Sequence, residues 1–169
     1  IATGGTVRGA AYQGAILRRR PEATIASRPA QLFVALAEEG WTDGQVVTDI
    51  ARRYLDPLMA EFPEGGPDCL VLGCTHFPVL AQAIQAVLPQ GVCLIDSAET
   101  TARWVAEELA ARGLLRPGGP DAESGDNGPR SVKESVRFFA TDDPDRFARV
   151  GEIFLGEALS PSDVTLVDL

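Results

Sequence analysis

Between Pro67-Asp68 and Gly73 runs Cys69-Leu70-Val71-Leu72, four apolar residues with no polar alternation. A strand with one wet face alternates apolar and polar residues; one covered on both faces does not. The run therefore predicts a strand inside a parallel sheet. Parallel neighbours need a crossover connection between them, usually a helix. The sequence supplies one: Val79, Leu80, Ile84 and Val87 recur at helical spacing over Val79–Leu88, and Val92–Ile95 follows as a second buried strand ended by Asp96-Ser97.

The same alternation extends outward. Ile1–Thr3 reads as the end of a strand entering the turn Thr3-Gly4-Gly5-Thr6, with a helix to about Leu17 stopped by Arg18-Arg19-Arg20 and Pro21. Ala23–Ser27 is a short strand candidate, and Leu32–Glu39 a short helix or turn ended by Gly40. Thr42–Phe62 is the clearest helix, with Val47, Ile50, Ala51, Tyr54, Leu55, Leu58, Met59 and Phe62 three and four apart on one face. Thr42 and Gln45 suggest a capping box at its start, and Pro57 should kink or split its last turns. Thr100–Leu114 returns to helix, residues 115–135 are a Gly/Pro/Ser/Asp loop, Val136–Ala140 is a strand, Pro144–Leu159 a helix and Val164–Leu169 a terminal strand. Strands alternating with helices make an α/β fold with a mainly parallel sheet.

Ligands of such sheets bind beyond the carboxyl ends of the strands. Three polar clusters fall there: Thr3–Thr6, Gly73–His76 and Asp96–Ser97. Gly73-Cys74-Thr75-His76 is the most informative. It leaves a strand and enters a helix at Phe77-Pro78, where unpaired N–H groups favour a thiolate. Thr75 offers a hydroxyl and an N–H to a carboxylate, and His76 can give or take a proton. The plainer reading makes Cys74 a packing residue and His76 a surface residue; the strand-end position with two polar successors weighs against it. Thr3-Gly4-Gly5-Thr6 is equally well a carboxylate cradle or a simple turn. Asp96-Ser97 is more simply a helix cap, Glu38-Glu39 a solvated pair, and Arg18–Arg20 a charged helix end. Cys69 and Cys93 are expected in the core.

Composition narrows the chemistry. In 169 residues, 15 Lys+Arg against 24 Asp+Glu give a net charge of −9, which repels phosphate backbones and argues against nucleic acid. No apolar run reaches the roughly 18–20 residues of a membrane span. The one lysine, Lys133, lies in the polar loop, so a pyridoxal Schiff base is not expected. One histidine and three cysteines without a C-x-x-C pair give no zinc site and no disulfide frame, only reduced thiols.

These motifs together carry a resemblance. ATGGTVRGAAY (residues 2–12), LFVALAEEG (32–40), DCLVLGCTHFPVL (68–80), LIDSAETTA (94–102), FFATDDPDRFARVGEIFLGE (138–157) and the closing VTLVDL resemble, in order, the glutamate racemases of the cofactor-independent aspartate/glutamate racemase superfamily. GCTH is the most specific of them. The resemblance implies two similar α/β lobes, with residues 1–97 as the second lobe and residues 98–169 as the returning carboxyl-terminal segment of a first lobe left incomplete here. It implies a two-base racemase that needs no cofactor and no metal, in which one cysteine removes the α-proton of glutamate and a second returns one. Cys74 matches one of these cysteines. Thr75 and His76 match substrate-contacting neighbours, with His76 also assisting its thiol. Thr3 and Thr6 match substrate-holding threonines, and Glu38 an auxiliary acid near the site.

The resemblance further implies a bacterial cytoplasmic protein that supplies D-glutamate for peptidoglycan, acts on a small amino acid and pairs as a homodimer. Ala2, Gly9, Phe77 and the expanded loop at 115–135 depart from the family pattern. The first cysteine of the family has no counterpart, so the chain is expected to be a carboxyl-terminal part, poorly stable and inactive on its own. Two alternatives stay open: a single-cysteine decarboxylase of the same superfamily, and a non-catalytic ligand-binding lobe.

Overall fold

A computed structural model describes residues 1–63, 66–115 and 136–168. The chain divides into two compact units, Ile1–Trp104 and Val105–Leu169. The expected loop at 115–135 and Lys133 fall, but for residue 115, outside the described residues.

In the first unit, β1 (Cys69–Leu72) pairs in parallel with β2 (Cys93–Asp96), Leu70 opposite Leu94 and Leu72 opposite Asp96. Ala2 extends this arrangement on the other side, bridged in parallel to both Gly73 and Pro29. The Ile1 amine donates to the Val71 carbonyl at 3.0 Å, and the Gly73 N–H donates to the Ile1 carbonyl at 2.8 Å. The chain thus runs Pro29, Ala2, β1, β2 across the unit, all parallel, as the apolar run at 69–72 predicts.

Helices α1 (Gly4–Gly9), α2 (Ala11–Arg19), α3 (Leu32–Glu38) and α4 (Gln45–Met59) precede β1. A 3-10 turn (Phe77–Leu80) and α5 (Ala81–Gln85) make the crossover to β2, which leads directly into α6 (Ser97–Ala111). The core gathers Val47, Ala51, Leu55 and Leu58 of α4 against Phe33 and Leu36 of α3, Leu70 and Leu72 of β1, and Phe77, Leu80 and Ile84 of the crossover. The α4 residues are one helical stripe, four, four and three apart.

Several expectations are corrected. Ala10 adopts a left-handed conformation (φ 51°) and splits the helix foreseen to Leu17 into α1 and α2, a geometry that costs a non-glycine residue about 1–2 kcal/mol. Residues 23–27 form no strand; only Pro29 bridges to Ala2. The Thr42/Gln45 capping box is absent, because Gly44 holds the capping position and has no side chain to offer. Pro57 is accommodated inside α4, which ends two residues later, so the missing N–H and the ring disturb only the end of the helix. β1 buries only Leu70 and Leu72, and β2 no residue fully, so neither is covered on both faces. Cys69 and Cys93 are exposed rather than in the core, since both start their strands on the uncovered face.

In the second unit, β3 (Phe138–Ala140) pairs in parallel with β4 (Val164–Leu166). Helix α7 (Pro144–Leu155) connects them and packs Phe147 on Phe138 with ring centroids 6.1 Å apart. The Asp143 carboxylate accepts the Arg146 N–H at 2.9 Å, Pro144 opens the first turn, and Gly156 closes the helix at φ 68°. Gly151 lets Leu159 approach: a Cβ there would stand 2.9 Å from Leu159 Cδ2. No helix among the described residues is long and apolar enough to cross a membrane.

Candidate active site

β1 ends at Leu72, and the next four residues form the site. Gly73 is required by close approach. A Cβ on it would lie 3.0 Å from the Ile1 carbonyl oxygen and from Tyr12 Cε2, and 3.1 Å from Ala2 Cβ. That tight contact holds Ala2 in register with Gly73, so one step further along both chains brings Thr3 to the same strand end as Cys74.

Cys74 is half-buried, and its Sγ lies 3.8 Å from His76 Nδ1. The other ring nitrogen, Nε2, is 3.3 Å from Glu38 Oε1. Glu38 is the last residue of α3, and its helix packs on the 3-10 turn that follows His76. The three side chains make a continuous polar line, carboxylate to imidazole to thiol. An Nε2–H donated to the carboxylate leaves the Nδ1 lone pair facing the sulfur, so a proton can pass between Sγ and Nδ1. His76 and Glu38 remain about a third exposed, at 28% and 33%.

The hydroxyls of Thr3 and Thr6 meet at 3.0 Å, both half-buried. Thr3, not Thr6, takes the capping position of α1, and its side chain turns to Thr6 rather than to a backbone N–H. Gly4 and Gly5 therefore belong to the first helical turn, where the Gly4 N–H also faces Gln31 Oε1 at 3.4 Å. Thr75 is exposed.

Two expectations about the site change and one holds. The helix anticipated at Phe77-Pro78 is a single 3-10 turn followed by five α residues, too short to lend a substantial dipole to Cys74, whose thiol instead has His76 Nδ1 as its neighbour. Glu38 does not share the solvated face of Glu39; the pairing with His76 turns it inward, while Glu39 is exposed. Asp96 is the helix cap expected of it, accepting the Ala98 N–H at 2.7 Å. Sequence reasoning did not single out Tyr12 or Gln31, which meet Gly73 and Gly4 only through the fold. No cluster of three or more metal-ligating side chains occurs among the described residues.

A cavity of about 720 Å³ lies beside this site, with Tyr12, Ile16, Leu58, Met59 and Phe62 among the residues that line it. It reaches the site at Thr6 and Gly73 but includes neither Cys74 nor His76. Chemistry locates the candidate site at the thiol, not in this mainly apolar space.

Comparison with known proteins gives one family. The model of the Asp/Glu/hydantoin racemases matches residues 1–105. The glutamate racemase of Geobacter metallireducens is 46% identical over 169 residues, which is 100% of this chain and 56% of that protein. That of Neisseria gonorrhoeae is 41% identical over 159 residues, 94% of this chain and 53% of its own. Among solved structures, glutamate racemase from Thermus thermophilus in complex with beta-chloro-D-alanine aligns with a TM-score of 0.71 at 36% identity, covering 99% of this chain and 55% of that one. Glutamate racemase from Francisella tularensis in complex with D-glutamate aligns at 0.74 and 28%, covering 99% and 56%. The chain spans about half the length of the curated relatives it matches.

Proposed function

The chain belongs to the Asp/Glu/hydantoin racemase family, and from that premise we propose that it contributes the second lobe of an enzyme interconverting L- and D-glutamate. Cys74 is one of two acid/base groups at the substrate α-carbon. As thiolate it removes the α-proton of one enantiomer and becomes a thiol; in the reverse direction that thiol protonates the carbanion that the other base has formed from the opposite enantiomer. His76 takes up or supplies the sulfur's proton through Nδ1. Glu38 holds the imidazole by Nε2 and is a positioning residue. Thr3, Thr6 and Thr75 bind the amino acid, offering hydroxyl and N–H donors to the carboxylate, where charge develops as the proton leaves.

The line Glu38–His76–Cys74, with distances of 3.3 and 3.8 Å, carries this reading. Cys69 and Cys93 stand at the amino ends of β1 and β2, the far end from Cys74, and are not assigned the opposing role. Residues 1–97 are read as the second lobe and 98–169 as the returning segment of the first. The whole enzyme is read as a bacterial cytoplasmic homodimer that feeds D-glutamate to peptidoglycan.

Deuterium incorporation at the α-carbon of glutamate tests the reading, in a polypeptide of the relatives' full length carrying these residues. Exchange from both enantiomers is expected. Its absence, with carbon dioxide released from an acid that yields an enolate, would favour the single-cysteine decarboxylase. Glu38→Gln should slow exchange by no more than about fivefold, because an ion pair exposed to this degree contributes at most ~1 kcal/mol. A much larger loss would make Glu38 a direct participant.

A further inference from the structure

We propose that Cys69 and Cys93 form a reversible dithiol–disulfide site at the amino end of the β1–β2 pair, chemically separate from Cys74. The two residues are direct register partners across the parallel ladder, both are free thiols and both are exposed. Register partners project from the same face of a sheet, and adjacent strands lie about 4.7–4.9 Å apart. That spacing falls inside the Cα separation of about 4.4–6.8 Å that a disulfide spans. Each cysteine opens its strand, so the bond has only one flanking ladder residue to work against on each side. Cβ atoms at the strand spacing are wider than the mean of about 3.8 Å in disulfides, so the bond is strained and readily reduced, which is the property of an exchangeable site rather than a structural staple. Cys74, five residues along from Cys69, is about 16 Å away at 3.3 Å per residue and cannot compete.

The oxidant is a small-molecule disulfide such as oxidised glutathione. One cysteine thiolate attacks a sulfur of that disulfide and releases one glutathione thiolate, leaving a mixed disulfide. The second cysteine thiolate attacks the protein sulfur, forming the Cys69–Cys93 bond and releasing the second glutathione. Two protein S–H bonds are lost, one S–S bond forms, and the two released thiolates take up the protons as the small disulfide is reduced to two thiols.

The test is incubation of the whole chain with oxidised glutathione under native conditions, followed by non-reducing digestion with chymotrypsin and mass spectrometry. Cleavage after Leu72 separates Cys69 from Cys74, and cleavage after Leu80 separates both from Cys93. The expected product is a linked pair containing Cys69 and Cys93, lighter by two hydrogens and reversed by dithiothreitol. Its yield should stay within about twofold in Cys74→Ala. In Cys93→Ser, Cys69 should carry only glutathione. In urea loop-closure entropy should favour the shorter Cys69–Cys74 and Cys74–Cys93 loops over Cys69–Cys93, which separates a native-register bond from chance pairing. Mixed disulfides alone at Cys69 and Cys93, a bond to Cys74 under native conditions, or the same pairing in native and unfolded chains would overturn the proposal.

Discussion

Cys74→Ala, in a polypeptide of the relatives' full length, is expected to lower racemisation of glutamate by about 10²–10⁴-fold, the range associated with loss of one positioned acid/base group. The substitution removes the sulfur and leaves its surroundings intact. Cys74 is half-buried at the end of β1, outside the group of fully buried core side chains, so alanine opens no large cavity. Glutamate should still bind, because Thr3, Thr6 and Thr75 are untouched. The loss then appears in turnover rather than affinity. Cys74→Ser should recover little: a hydroxyl gives up its proton far less readily than a thiol, even with His76 Nδ1 beside it. Racemisation followed by circular dichroism, with substrate binding measured separately, checks both points. Racemisation within tenfold of the parent would remove Cys74 from the chemistry and leave the ligand-binding lobe as the better account. In the proposed mechanism Glu38→Gln costs far less for a physical reason: Cys74 makes or breaks the bond to the proton, and Glu38 only orients the group that assists.

Much of this was legible in the sequence because it is local. The apolar run at 69–72, the stripe from Val47 to Leu58 and the Asp143-Pro144 start of α7 each state their structure within a dozen residues. GCTH could be placed at a strand end from its neighbours alone, and Asp96 could be recognised as a cap. Other features depend on partners distant in the chain. Glu38 and Glu39 look equivalent as a dipeptide; only the packing of α3 against the turn after His76 gives them different fates. The apolar runs overstate the burial of β1 and β2, because such a run reports what a strand tolerates, not what covers it. Cys69 and Cys93 carry the consequence: apolar by type, they sit on the uncovered face. Ala10 was invisible for another reason, since nothing in Gly9-Ala10-Ala11 requires a left-handed residue at the alanine.

Phe77→Ala is expected to destabilise the first unit by about 3–5 kcal/mol, the loss typical of deleting a buried aromatic ring. Phe77 has no exposed surface and meets Phe33 edge-on, with ring centroids 5.4 Å apart and planes at 88°. Phe33 in turn meets Tyr54 of α4 at 5.3 Å and 71°, so the three rings join α3, α4 and the crossover. This pair also sets the site. Phe33 and Glu38 ride on the same short helix, and Phe77 directly follows His76. Removing the Phe77 ring should therefore loosen the 3.3 Å contact between Glu38 and His76 as well as the core. Urea denaturation of the variants measures the first effect, provided the slope with denaturant is unchanged. A double-mutant cycle of Phe33→Leu and Phe77→Leu isolates the ring pair, with a coupling of about 0.5–1.5 kcal/mol expected. A loss below ~1 kcal/mol for Phe77→Ala would mean that the ring is not packed as described. The geometry derived for His76 would then lose its support, because the backbone that carries the imidazole is held in place by that ring.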